Sequence, residues 1–354
     1  MKKYKWIEEC IIVNGHVRSC IYDLPRQKSY FVDKNTESLI QKIESLDSNF
    51  IEDNLDSNEL EWFNFFIEKE LLFEVPISQL EYFKKIPLGW NHPSKIVNAI
   101  LEESIYLNKT LKFLNELNCH HIVLSFQNSK DILKVLEDNF KTTFLKSLDI
   151  VVEQNVFESN YYETLITNYP IISDIYIKKS TKKIISIRID DFRRILKVDS
   201  STKGKLTFSV EIKLFMESHF YNVYLNRKIY FNKEGYIYNT PESNVKLGNI
   251  NNITTAEDLH QLSKTKEWDS KKSETFICED CELRYMCVDN RIPKWNKQLN
   301  KWQHETECDY NPYIGLWKGE EGYLSLKKCG KTFNEDGLKT DKIKLDSINK
   351  ILWS

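Results

Sequence analysis

Between residues 95 and 225, apolar strand-like runs recur roughly every 25 residues, at Ile96 to Leu101, Ile122 to Phe126, Leu148 to Val152 and Ile171 to Ile177. Helical patterns lie between them, at Lys109 to Leu117, Asp131 to Phe140 and Tyr162 to Ile166. This alternation leaves few folds open. A helix that carries the chain back after each strand makes successive strands parallel, so the class is α/β, built from βα units. Further β-like runs, Ile184 to Ile189 and Leu206 to Ile212, are expected to extend the same sheet. The stretch is about half of what an eight-unit barrel needs, which predicts an incomplete (β/α) barrel or an open α/β sheet.

The first 85 residues follow another pattern. Apolar-rich runs flank Asn14-Gly15, and Asn-Gly supplies the two positive φ angles of a type I′ turn, so Cys10 to Val13 is expected to pair with His16 to Arg18 and onward. A two-residue loop sets Cys10 opposite Ser19 and places Cys10 and Cys20 on opposite faces. Ser29 to Asp33 is a third strand. Helices follow over Glu37 to Glu44, capped near Asn35, and over Glu59 to Leu72, capped by Asp56 or Ser57. Together these make a small winged-helix-like module over 1–85. Pro76, Pro87, Gly89 and Pro93 then mark a linker before the partial barrel of 90–225. Past 225 the β runs shorten (Lys228 to Phe231, Tyr236 to Tyr238) and a Cys-rich region, 226–318, begins. Residues 319–354 form an extension with too little apolar periodicity to assign.

Fifty basic residues against 52 acidic ones leave a net charge of −2, without the basic excess that drives nucleic-acid binding. The ten glycines form neither G-x-G-x-x-G nor G-x-x-x-x-G-K, the common phosphate cradles. Acidic Glu8 and Glu9 interrupt the N-terminus before any secretory core develops, and no apolar run approaches the roughly 18 residues of a membrane span. A cytoplasmic protein with no membrane or nucleic-acid partner is expected, and in that reducing setting closely spaced Cys are metal ligands or catalytic groups. Cys119, His120 and His121 are consecutive at a strand start and alternate faces, so they read as core rather than a metal site. Asp190-Asp191 and Arg193-Arg194 read as solvated surface charges.

Four of the eight Cys fall at Cys278-x2-Cys281-x5-Cys287 and, 21 positions on, Cys308. A C-x2-C pair turns two thiolates toward one centre, and two later Cys close the coordination sphere. The charged residues among them (Glu279, Asp280, Glu282, Arg284) argue against a plain apolar core. Spacing leaves the metal open. A Cys₄ zinc site usually repeats the C-x2-C knuckle, whereas the C-x5-C step and long gap suit an iron-sulfur cluster at least as well. Cys329 or His304 are alternative fourth ligands, although His304 beside Glu305 also reads as an exposed polar residue.

Cys278-x2-Cys281-x5-Cys287 followed by Cys308 resembles the SPASM domain, the auxiliary-cluster region of radical S-adenosylmethionine (SAM) peptide-modifying enzymes. Cys278-Glu-Asp-Cys281-Glu-Leu-Arg284-Tyr-Met-Cys287 and Cys308-Asp-Tyr-Asn-Pro312-Tyr are most similar to the SPASM protein of grasp-with-SPASM systems, which works with an ATP-grasp ligase to mature ribosomally made peptides. The resemblance implies one [4Fe-4S] cluster on Cys278, Cys281, Cys287 and Cys308. It also implies a precursor-peptide partner, a ligase partner, and a peptide-recognition role for the N-terminal module.

Two features depart from the family. The inner cluster's Cys is missing where its Gly-x4-Cys motif falls, at Gly235 to Thr240, and the C-x3-C partner of Cys287 falls on Arg291. The C-x3-C-x2-C triplet, which binds three irons of a cluster and leaves the fourth open to chelate SAM, is absent, Ser104-Ile-Tyr-Leu-Asn-Lys standing in its place, so no SAM chemistry is expected and the protein reads as accessory or non-SAM. In the N-terminal module, an exposed strand edge beside a helix suits capture of an extended peptide, which singles out Tyr30, Phe31 and Val32. Three functions stay open: an accessory protein that presents a precursor to the ligase, a redox peptide maturase, and a zinc-stabilised peptide-binding module.

Overall fold

The computed structural model describes residues 2–127, 132–140, 145–152, 159–177, 183–185, 206–334 and 337–353. Residues 186–189 of the Ile184 to Ile189 run, and the Asp190-Asp191 and Arg193-Arg194 pairs, lie outside them.

The N-terminal module contains β1 (Lys2–Trp6), β2 (Cys10–Asn14), β3 (Ser19–Asp23) and β4 (Lys28–Val32). α1 (Thr36–Ser45), α2 (Ile51–Asn54), α3 (Ser57–Glu68) and β5 (Leu72–Pro76) complete it. β2, β3 and β4 form one antiparallel sheet, while β1 pairs with β5. α3 begins on a capping box: the Asp56 carboxylate accepts from Glu59 N–H while the Glu59 carboxylate accepts from Asp56 N–H. It ends four residues before Leu72, because Glu70 takes a left-handed φ of 54° and Leu71 N–H turns back to Phe66 C=O. Leu72 thereby becomes the first residue of β5. Trp6, Cys10, Ile21, Val32, Ile43, Phe66 and Leu71 share the module's own core.

The hairpin register differs from expectation. Asn14 pairs with Ser19 and Cys10 with Asp23, closing a four-residue loop rather than a two-residue one, with Gly15 N–H on Arg18 C=O. Neither Asn14 nor Gly15 has a positive φ. The slip is an even number of residues, so Cys10 and Cys20 still face opposite ways, Cys10 into the module core and Cys20 into the main core.

The βα units form as their periodicity requires: β6 (Asn98–Glu102), α4 (Leu107–Glu116), β7 (His121–Phe126), α5 (Ile132–Asn139), β8 (Ser147–Val152), α6 (Ser159–Asn168) and β9 (Ile172–Ile177). β10 (Lys183–Ile185) returns antiparallel to β9. β11 (Leu206–Phe208) and α7 (Ile212–Ser218) follow, then β12 (Lys228–Phe231), β13 (Tyr236–Tyr238) and β14 (Gly248–Asn249). The sheet order is β10-β9-β8-β7-β6-β12-β13-β14, with β12 parallel to β6, so the sheet continues past residue 225. Among the described residues it runs linearly and does not close. Register sets Ala99, Leu101, Ile122, Leu124, Leu148 and Ile150 on one face, where they share the main core with Leu111 and Leu114 of α4 and Leu136 of α5. Asn98, His121, Ser147 and Asp149 share the other face. Cys119 is buried in the main core, His120 Nε2 lies 3.0 Å from Ser94 Oγ, and His121 Nδ1 lies 2.6 Å from Ser147 Oγ.

The Leu206 to Ile212 run does not extend this sheet. Only β11 is a strand, and it pairs antiparallel with β15 (Cys287–Asp289) in the Cys-rich region, because Leu206 and Phe208 are drawn to the cysteine cavity. After α8 (Ala256–Ser263) and β15 come short hairpins: β16 (Lys294–Asn296) with β17 (Lys301–Gln303), and β18 (Tyr310–Asn311) with β19 (Leu316–Trp317). The C-terminal extension folds as β20 (Lys331–Asn334), β21 (Gly337–Thr340) and α9 (Lys342–Leu352), the helix capped by the Asp341 carboxylate on Lys344 N–H. Its Leu345 joins Tyr313, Ile314, Leu326 and Cys329 in a third core.

Candidate metal centre

Cys278 and Cys281 sit on a single 3-10 turn, Cys287 opens β15, and Cys308 lies two residues before β18. Three separate stretches of chain therefore converge, and the four thiols line one cavity of about 30 Å³. Leu206, Phe208, Ile277, Leu283, Tyr310 and Pro312 supply its apolar wall. Ile277, just before Cys278, has φ 70° and ψ −46°, near the strained γ-turn geometry that a β-branched residue rarely adopts. Such strain persists only where the surroundings fix the backbone, here at the turn that aims Cys278.

Burial raises all four thiols, Cys287 to about 12 and Cys281 well above the ordinary thiol range. Specific groups oppose this. Lys272 and Arg291 favour the Cys278 thiolate, Lys272 that of Cys287 and Arg291 that of Cys308. Leu283 N–H reaches Cys281 Sγ and Tyr310 N–H reaches Cys308 Sγ, both at 3.4 Å. Backbone N–H donors to sulfur and nearby cations stabilise thiolates and tune the groups that thiolates ligate. In the chemistry of its donors, the site fits a metal–thiolate group. Among the described residues, no group of three or more His, Cys, Asp or Glu is gathered so as to hold a metal ion.

The alternative fourth ligands lie elsewhere. Cys329 is fully buried in the third core, donating to Leu326 C=O at 3.1 Å. His304 is not the exposed residue that its neighbour Glu305 suggests: its side chain is 7% exposed, with Nε2 3.7 Å from Asp289. The Asp289 carboxylate meets Lys272 Nζ at 3.1 Å and Arg291 Nη2 at 2.6 Å, a buried network that sequence spacing did not reveal.

The cysteine turn rests on the N-terminal hairpin. His16 N–H donates to Asp280 C=O at 2.8 Å, Arg284 Nη1 to Asn14 C=O at 2.8 Å, and Tyr22 OH to Glu282 C=O at 2.7 Å. Arg18 Nε donates to the buried Glu282 carboxylate at 2.8 Å, and Tyr310 OH to the same oxygen.

No family model, curated protein or solved structure matches the chain.

Of the three β4 residues singled out for peptide contact, Val32 is in the module core and Tyr30 packs edge-on against Phe65. Phe31 is 45% exposed on the opposite face, under the Arg18 guanidinium at 3.5 Å. Among the described residues, no strand pairs with the outer edge of β4. A cleft of about 1010 Å³, bordered by Trp295, Trp302, Pro293 and Val245, reaches Arg291 and Cys308.

Proposed function

We propose that the protein is an accessory maturation factor for a ribosomally made peptide. In this reading the winged-helix-like N-terminal module captures the precursor's leader, one [4Fe-4S] cluster on Cys278, Cys281, Cys287 and Cys308 fixes the region beside it, and a partner ATP-grasp ligase forms the bond. The observation that carries this is the convergence of four thiols from three chain stretches on one cavity flanked by Lys272 and Arg291. A tetrahedral zinc with sulfurs at about 2.3 Å would need all four drawn to within about 4 Å of one another. The C-x5-C step and the long gap to Cys308 suit the cluster at least as well as zinc. Metal–sulfur bonds are shorter than van der Waals contacts, so a bonded group needs less free space than a loose ligand. The cluster, when bound, supplies cross-linking of the loops and a redox-active centre. The chain's own residues hold the thiolates and, along the free edge of β4, offer main-chain donors and acceptors to an extended peptide.

The cleft that reaches Cys308 favours a second reading, a redox peptide maturase whose substrate approaches the cluster from that side. Anaerobic purification followed by iron, sulfide and zinc assays tests the centre: about four iron and four sulfide per chain are expected, and zinc alone would leave only a zinc-stabilised binding module. Product mass after incubation with precursor, with and without the ligase, separates the first two readings. The accessory role requires that no mass change appear without the ligase.

A further inference from the structure

The buried ions beside the cysteines are costly. Lys272, Asp289 and Arg291 side chains are 10%, 1% and 9% exposed, and a buried ion network is often no more stable than apolar residues of the same size. Its position offers a reason for keeping it. Asp289 is in β15, two residues from Cys287, and Lys272, Asp289 and Arg291 all line the cavity that the four thiols share. Arg291 also reaches Thr306 C=O at 2.8 Å, in the segment that delivers Cys308. Among the described residues, the other groups that face the network include His304 on Asp289, whose charged form burial disfavours, the Tyr224 hydroxyl and the thiols themselves. Two fixed cations against one carboxylate leave a net positive charge buried at the thiol cavity.

Resting on the cluster reading above, we infer that Lys272 and Arg291 are positioning residues that act as counter-charges to a metal–thiolate anion, with Asp289 holding both and moderating their effect. Four thiolates outweigh the charge of a [4Fe-4S] core, so the ligated cluster is a dianion when oxidised and a trianion when reduced. A buried cation stabilises the trianion more, and a buried carboxylate stabilises it less. The network therefore sets the reduction potential, and the sign of each residue's effect follows from its charge.

The test is a dithionite redox titration of anaerobically reconstituted full-length protein, followed by the cluster's visible absorbance, with iron and sulfide content measured on every sample. Lys272→Met is expected to disfavour reduction about tenfold at fixed potential, a fall of about 59 mV for a one-electron couple. Asp289→Asn is expected to move the potential upward, and Arg291→Lys, which keeps the charge, to stay near the unsubstituted protein. A merely structural network would not give opposite shifts from Lys272→Met and Asp289→Asn. Full iron and sulfide content with unmoved potentials, or with shifts of one sign in both variants, overturns this inference and leaves the proposed function standing. Unsubstituted protein that takes up zinc and no iron or sulfide overturns both. If Lys272→Met does not fold, Asp289→Asn and Arg291→Lys still decide, since an Asp289→Asn shift that is absent or downward overturns the inference.

Discussion

Gly15 shows how a glycine can be required by something far away in sequence. Its φ is not in the left-handed region, so alanine could adopt its backbone conformation. A Cβ there, however, would stand 2.8 Å from Arg18 C=O and 2.8 Å from Glu282 Oε2. Glu282 cannot swing away freely, because Arg18 and Tyr310 hold its other oxygen and the side chain is buried. Where space is not limiting, Gly→Ala stabilises through the unfolded chain. Here Gly15→Ala is expected to cost about 1–3 kcal/mol, as overpacking does. Urea unfolding measures it, and a rise in stability would mean that the hairpin does not press on the cysteine turn as described. The residue type at position 15 was legible in the sequence as a turn signal, but its physical cause was not. The Asn-Gly pair suggested a type I′ turn, whereas contact with Glu282 fixes a longer loop.

At the scale of elements, what could be read depended on how local the cause was. β6 to β9 and α4 to α6 follow from apolar periodicity within each stretch, and the α3 start follows from the Asp56–Glu59 box. The pairing of β12 with β6 and of β11 with β15 joins stretches far apart in sequence, and three-residue strands such as β11 carry no periodicity that could announce a partner. The gathering of the four cysteines on one cavity was legible because a C-x2-C-x5-C spacing is local. The Lys272–Asp289–Arg291 network was not, because Lys272 precedes the motif and its pairing depends on the fold. The hairpin and the cysteine turn share three backbone-carbonyl hydrogen bonds, through His16, Arg284 and Tyr22. Ordering the turn by metal should therefore order the hairpin tip. If the proposed cluster is bound, removing it with a chelator is expected to raise amide hydrogen exchange over residues 14–18 and 278–287 while β6 to β8 stay protected. Exchange at 14–18 that ignores chelation would show the two elements to be independent.

The whole molecule carries several histidines whose charged form burial disfavours, and this contributes to its response to acid. Burial lowers His16, His219 and His304 below the ordinary value of 6.5, His304 to about 3. Asp289 does not reverse this at His304, because Lys272 and Arg291 already neutralise it and keep it ionised well below the usual carboxylate range. In the unfolded chain these histidines protonate near pH 6.5, while in the folded chain burial defers protonation to lower pH, so the unfolded state binds more protons over the interval between. Stability must then be full above about pH 7, fall as pH drops through 6.5, and continue to fall for His304 until about pH 3. One pH unit of differential protonation is about 1.4 kcal/mol, so His304 alone should weaken folding by on the order of 2 kcal/mol at pH 5. Urea midpoints at pH 7.5, 6.5, 5.5 and 5.0 measure the slope. His304→Asn should flatten part of it and His219→Phe, which keeps the ring against Tyr285 at 4.1 Å, another part. A slope unchanged in both variants would place the acid sensitivity in the carboxylates instead, and stability that rises toward pH 5 would mean that these histidines are charged in the folded protein.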